Sequence, residues 1–113
     1  MQTLKKHYSA VLDLGVEFAD RLASGETLSS GATLTVKSAS YGTVGQLTIG
    51  SVAISGTKVV GRYTGGTAGE QVAANTPLWR TVYTIEAKVV TSSGETESEL
   101  VELVVYDSVE KTS

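Results

Sequence analysis

Apolar and polar positions alternate along residues 11–18. Leu12, Leu14, Val16 and Phe18 share one side of an extended chain, and Asp13, Gly15 and Glu17 the other. A period of two predicts a half-buried strand, because successive side chains point to opposite faces of a sheet. A helix over the same run would put Asp13 and Glu17 on one face, and Gly15 weighs against it. Leu28 and then residues 33–37 predict a second strand, with an irregularity at Ser29-Ser30-Gly31. Residues 46–49 and 51–54 are short apolar alternations broken by Gly50, either a tight hairpin or one bulged strand. Gly56 separates them from a strand over residues 57–63, and a loop with three glycines follows at 64–69.

The pattern fades over residues 71–80, where Asn75-Thr76-Pro77 marks a turn. The clearest strand comes next: Tyr83, Ile85, Ala87 and Val89 alternate with Thr84, Glu86, Lys88 and Val90. Residues 91–95 predict a hairpin turn, with Gly94 free to take a positive φ. In the return strand, residues 96–106, Glu95, Glu97 and Glu99 share a face that continues as Val101, Leu103 and Val105. A bulge near Glu99-Leu100 is expected to re-aim it. Strands at this spacing, with no long 3.6-residue period, predict an antiparallel sandwich of six to eight strands. A barrel is the structural alternative. Residues 1–9 are expected as an N-terminal arm, 10–106 as the sandwich and 107–113 as a flexible tail.

Composition mostly excludes. The 113 residues contain no cysteine, so disulfides, thiolate chemistry and Cys-ligated metals are ruled out. His7 is the single histidine, which rules out an all-His metal site and leaves few candidate general bases. A net charge of −3 argues against nucleic-acid binding, which needs clustered Lys and Arg. Asp13, Gly15 and Glu17 interrupt the N-terminal apolar residues, so neither a secretory apolar core nor a spanning helix is expected. The protein is therefore expected to have no enzymatic activity, no cofactor, no metal and no membrane contact.

Several constellations invite a functional reading. Gly65-Gly66-Thr67-Ala68-Gly69 could cradle an anion, but no Lys-Ser/Thr pair or helix follows, which favours a turn. Trp79 with Tyr41, Tyr63 and Tyr83 could form an aromatic platform for a sugar, against a core or edge role for the lone Trp. Glu95, Glu97, Glu99 and Glu102 read as a solvated edge rather than a cation site. Glu17 and Asp20 resemble a carboxylate pair without a pocket to raise a pKa. Partner contacts are expected from the basic arm, at Lys5, Lys6 and Tyr8, and from the irregular stretch, at Asn75, Leu78, Trp79 and Arg80.

Three segments together carry a resemblance. Ala10-Val11-Leu12-Asp13 leads to Leu22-Ala23-Ser24-Gly25-Glu26-Thr27-Leu28. Leu47-Thr48-Ile49-Gly50-Ser51 and Ile54-Ser55-Gly56-Thr57 follow. Tyr63-Thr64-Gly65-Gly66-Thr67-Ala68-Gly69 then precedes Tyr83-Thr84-Ile85 and the hairpin Thr91-Ser92-Ser93-Gly94-Glu95-Thr96. In order and spacing this resembles small Ig-like virion structural proteins of tailed bacteriophages, the fibre–tail adaptor-like family. The likeness runs from Ala10 to Val105, with Phe18 where that family usually has Trp and residues 71–82 as an insertion. It implies an all-β, Ig-like sandwich and a non-enzymatic adaptor docking between tail or neck and fibre or other virion proteins. Such a protein would act in multiple symmetric copies, located in the virion after assembly in the bacterial host cytoplasm. A capsid decoration protein and a carbohydrate-binding module of a surface or fibre protein are the alternatives.

Overall fold

The computed structural model describes residues 2–71 and 79–107. Its strands, in chain order, are β1 (Thr3–His7), β2 (Leu12–Glu17), β3 (Leu28–Ala39), β4 (Leu47–Ser55), β5 (Lys58–Gly65), β6 (Glu70–Gln71), β7 (Trp79–Thr91) and β8 (Thr96–Asp107). Among the described residues the only helical elements are single 3-10 turns at Ala19–Arg21 and Val44–Gln46. One sheet has the order β1-β8-β7-β3, with β6 added beside β7; the other has the order β2-β5-β4. Setting aside β1, these are the C-F-G and B-E-D sets of an immunoglobulin sandwich. The fold is therefore an all-β sandwich, as the alternation predicted, with the Ig-like strand order that the resemblance implied.

The core forms where the two inner faces meet. Tyr83, Ile85, Ala87 and Val89 of β7 and Val101, Leu103 and Val105 of β8 are fully buried, with Val16, Phe18, Val59 and Tyr63 from the opposing layer. Every second residue is thus removed from water, and each large side chain contributes roughly 1.5–3 kcal/mol of burial. Gly61 sits on the inner face of β5, where a Cβ would lie 2.7 Å from Leu34 Cδ1 and 2.9 Å from Ile49 Cγ2. The sheets approach too closely there for a side chain.

The sequence left open whether residues 46–54 make a hairpin or a bulged strand; β4 is one bulged strand. Its register with β5 shifts between Gly50 and Ala53, and Ser51 takes a φ of 52° at the shift. The irregularity expected at Ser29-Ser30-Gly31 appears as register shifts of β3 against β7.

Two expectations are corrected. No bulge interrupts β8: its pairing with β7 runs without a shift from Trp79↔Asp107 to Val90↔Thr96. Glu97 and Glu99 therefore stay on the same face as Val101 and Leu103, opposite Val89 and Ala87. Arg21, in the first 3-10 turn, makes this tolerable. Its Nε donates to Glu99 Oε2 at 2.9 Å, and its Nη1 lies 3.7 Å from Glu97 Oε1. The second correction concerns the N-terminus. Residues 3–7 do not form an arm outside the sandwich; they are β1, paired in parallel with β8 from Thr3↔Glu102 to His7↔Tyr106. Residues 108–113, read as a tail, lie outside the described residues.

Candidate partner interface

The strands bring most of the expected contact residues to one end of the larger sheet. His7, Tyr106 and Arg80 lie side by side across β1, β8 and β7. Their neighbours Lys6, Val105 and Thr81 face the core, so alternation turns His7, Tyr106 and Arg80 to the outer face. The His7 ring meets Tyr106 edge-on at 5.6 Å and Tyr8 at 4.8 Å. His7 Nε2 is 3.9 Å from Asp107 Oδ1. Tyr8 follows β1 directly, donates its N–H to the Tyr106 carbonyl, and leaves its ring exposed. Trp79 is half-buried, and Arg80 is exposed. Asn75 and Leu78 lie outside the described residues.

The two arm lysines have different fates. Lys5 is exposed on the edge strand. Lys6 is fully buried, so it cannot present its charge to a partner. Its Nζ donates to the carbonyls of Gly65 (2.8 Å), His7 (3.0 Å) and Tyr8 (3.3 Å), and burial holds its pKa below the usual lysine range. The expectation of a contact at Lys6 is replaced by an internal tie. Nothing in the sequence marks one lysine of the pair as buried; only the pleat of β1 decides it.

The glycine loop is a turn, and three of its backbone donors are taken. Gly66 N–H donates to the Gln46 carbonyl, Thr67 N–H to Tyr83 Oη at 2.9 Å, and Gly69 N–H to Thr81 Oγ1 at 3.0 Å. Those three N–H groups are therefore spent within the fold, as a turn would spend them. Tyr83, on β7, here occupies the place of the tyrosine corner of Ig domains, fixing the connection that arrives from β5. Of the aromatics considered for a platform, Tyr63 and Tyr83 are corrected: both are fully buried. Tyr41 is 51% exposed and packs one side of its ring on Gly69, where a Cβ would fall 2.0 Å from it.

The opposite end is polar. A cleft of about 460 Å³ is lined by Gln2, Glu17, Asp20, Arg21 and Glu99. Glu17 does not pair with Asp20 as a catalytic couple would. Its carboxylate accepts from Thr57 Oγ1 and from the N–H groups of Ala19 (3.0 Å) and Phe18 (3.2 Å). These bonds hold its pKa below the usual range, so it stays an ionised cap of the 3-10 turn. Among the described residues no three His, Cys, Asp or Glu side chains cluster to hold a metal.

An Ig-like sandwich whose ends are a glycine-pinned corner and a polar hairpin tip is a scaffold that presents loops and edges. The family comparison agrees: the model of the podophage GP4 fiber-tail adaptor protein gp77 family matches residues 6–104, and the chain belongs to that family. No curated protein matches the chain. The protein is thus a phage structural adaptor in class, as the turn motifs implied.

Proposed function

We propose that the protein is a virion component joining the tail or neck to a fibre or another virion protein, and that it does so without catalysis. The observation that carries this reading is the family match, which spans nearly the whole sandwich. The mechanism is geometric: a rigid two-sheet body holds its ends and edges at a fixed separation. Closed symmetry then repeats each weak contact, at about 6 or 12 copies per particle. The end bearing Tyr8, Trp79 and Arg80 is the contacting end, with Lys5 at its margin. A net charge of −3 fits protein partners better than nucleic acid. Assembly takes place in the bacterial host cytoplasm.

Quantitative mass spectrometry of purified virions tests the reading. The chain is expected at a whole-number ratio to a ring-forming tail or neck protein, and particles lacking it are expected to lose their fibres. Virions without the chain, or fibres still attached in its absence, would overturn the assignment.

A further inference from the structure

Each edge strand of a sandwich exposes unpaired backbone groups, and a folded protein must blunt them. Three of the long edges here carry such a device. Lys5 stands on β1. β3 has register shifts at three places along β7. β4 is bulged at Ser51. β2 differs: it pairs with β5 without a shift from Leu12↔Tyr63 to Glu17↔Lys58 and carries no lysine.

The orientation of the β2 backbone follows from its last residues. Phe18 N–H donates to the Thr57 carbonyl, so Phe18, and with it Val16, Leu14 and Leu12, turns its backbone groups toward β5. Glu17 turns the other way. Its N–H donates to Gln2 Oε1 at 3.2 Å, and its carbonyl accepts from Gln2 Nε2 at 2.9 Å. The Gln2 carboxamide thus pairs with this one residue as a neighbouring strand would. By the same alternation Asp13 and Gly15 turn both N–H and C=O outward, in line with Glu17, where no strand lies among the described residues. Beside them Val11 is 55% exposed and Leu12 36%.

The geometry points to this edge as the seat of an extended segment of an unlike virion protein, which adds beside β2 as a fourth strand of the smaller sheet. The inference rests on the adaptor reading above and adds to it a second contact, separate from the end bearing Trp79 and Arg80. Backbone pairing at Asp13 and Gly15 supplies the bonds, and side-chain alternation sets the chemistry. Facing inward, the segment offers apolar side chains to Leu12 and Leu14. Facing outward, it meets the Asp13 carboxylate with a basic or neutral polar residue, because the Arg62 partner of Asp13 lies one strand further in.

A second copy of this chain fits poorly. Pairing β2 with itself antiparallel places outward-turned residues opposite one another. The register that uses positions 11, 13 and 15 and leaves Gln2 on Glu17 sets Asp13 against Asp13, and like charges directly opposite are destabilising. Registers shifted toward Gly15 reach Glu17, which Gln2 already occupies.

Proline at position 13 removes the outward N–H and no bond to β5, while Asp13→Ala removes the ion pair with Arg62 and keeps the N–H. Purified variants are added to particles assembled without the protein, and incorporation is read by mass spectrometry. Asp13→Pro is expected to incorporate at least about tenfold less than Asp13→Ala, the variant that loses the same carboxylate but keeps the N–H, at an unchanged melting temperature. Equal incorporation of folded Asp13→Pro overturns the inference and leaves the adaptor reading standing; absence of the wild-type chain from particles overturns both. If Asp13→Pro fails to fold, hydrogen exchange of wild type decides. The amides of Asp13 and Gly15 should slow at least about tenfold on incorporation, and unchanged exchange overturns the inference. Amine cross-links from Lys58 to a different virion protein support it, and Lys58–Lys58 links between copies overturn it.

Discussion

Lys6 Nζ lies 2.8 Å from the Gly65 carbonyl oxygen, tying the end of β1 in one sheet to the end of β5 in the other. A buried ammonium is costly unless its protons are used, and here three carbonyls take them. The charge therefore closes the sandwich at the same end that carries Tyr8 and Arg80.

Replacing Lys6 with Met keeps the buried stem but leaves the carbonyls of His7, Tyr8 and Gly65 without their donor. The loss is expected to be on the order of 2–3 kcal/mol, visible as a lower midpoint in urea. Burial lowers the folded-state pKa of Lys6, so between that value and its usual 10.5 the unfolded chain binds the extra proton. The Lys6 contribution to stability accordingly rises with pH through that window, and Lys6→Met should abolish it.

Tyr63 behaves in the opposite sense. Its hydroxyl is buried with no hydrogen-bond partner among the described residues, and burial pushes its pKa up from 10.0 to about 12. The folded state then holds the proton that the unfolded chain releases. Stability from this group is complete below pH 10.0 and is lost as pH rises toward about 12, by on the order of 2 kcal/mol. Tyr63→Phe should leave neutral-pH stability unchanged or slightly higher and remove that alkaline loss. Denaturant midpoints of both proteins at pH 9 and pH 11 provide the check.

Gly65 and Gly25 both have positive φ, at 80° and 81°, but their surroundings differ. A Cβ on Gly65 would lie 2.7 Å from the Gln46 carbonyl oxygen, whereas a Cβ on Gly25 meets nothing within 4 Å. Gly25→Ala should cost only the left-handed conformation, about 1–2 kcal/mol. Gly65→Ala should cost clearly more, because backbone has to move and the Lys6 tie moves with it. Thermal unfolding of the two variants ranks them.

Arg21 is partly exposed, and so are the carboxylates it serves, which limits what the cluster contributes. Arg21→Ala should lower stability by no more than about 1 kcal/mol, and the difference from wild type should shrink in high salt. A much larger, salt-independent loss would show that the guanidinium acts mainly by covering the end of the core.

The legible parts of this protein were those governed by a local period. The alternations at 11–18 and 83–89 name the inner residues of β2 and β7, since a strand with one buried face writes that face into every second residue. The glycine loop was readable as a turn from its composition alone. The misread parts involve a residue whose partner is distant in the chain. Glu97 and Glu99 suggested a bulge because Arg21, some 78 residues away in the case of Glu99, is invisible to a local pattern. Lys5 and Lys6 look alike until β8 fixes the pleat of β1.

The sequence by itself determined an all-β sandwich without the residues for thiolate or multi-histidine chemistry, and its ordered turn motifs placed it among phage adaptors. Only the tertiary structure decided that the N-terminus is an edge strand and that one lysine of a pair is a buried tie. It also decided which backbone edge remains open. Local alternation records which side of a strand is wet, but strand neighbours and edges are set by pairings between segments far apart in the chain. Those pairings join residues distant in sequence, so no local window contains both partners.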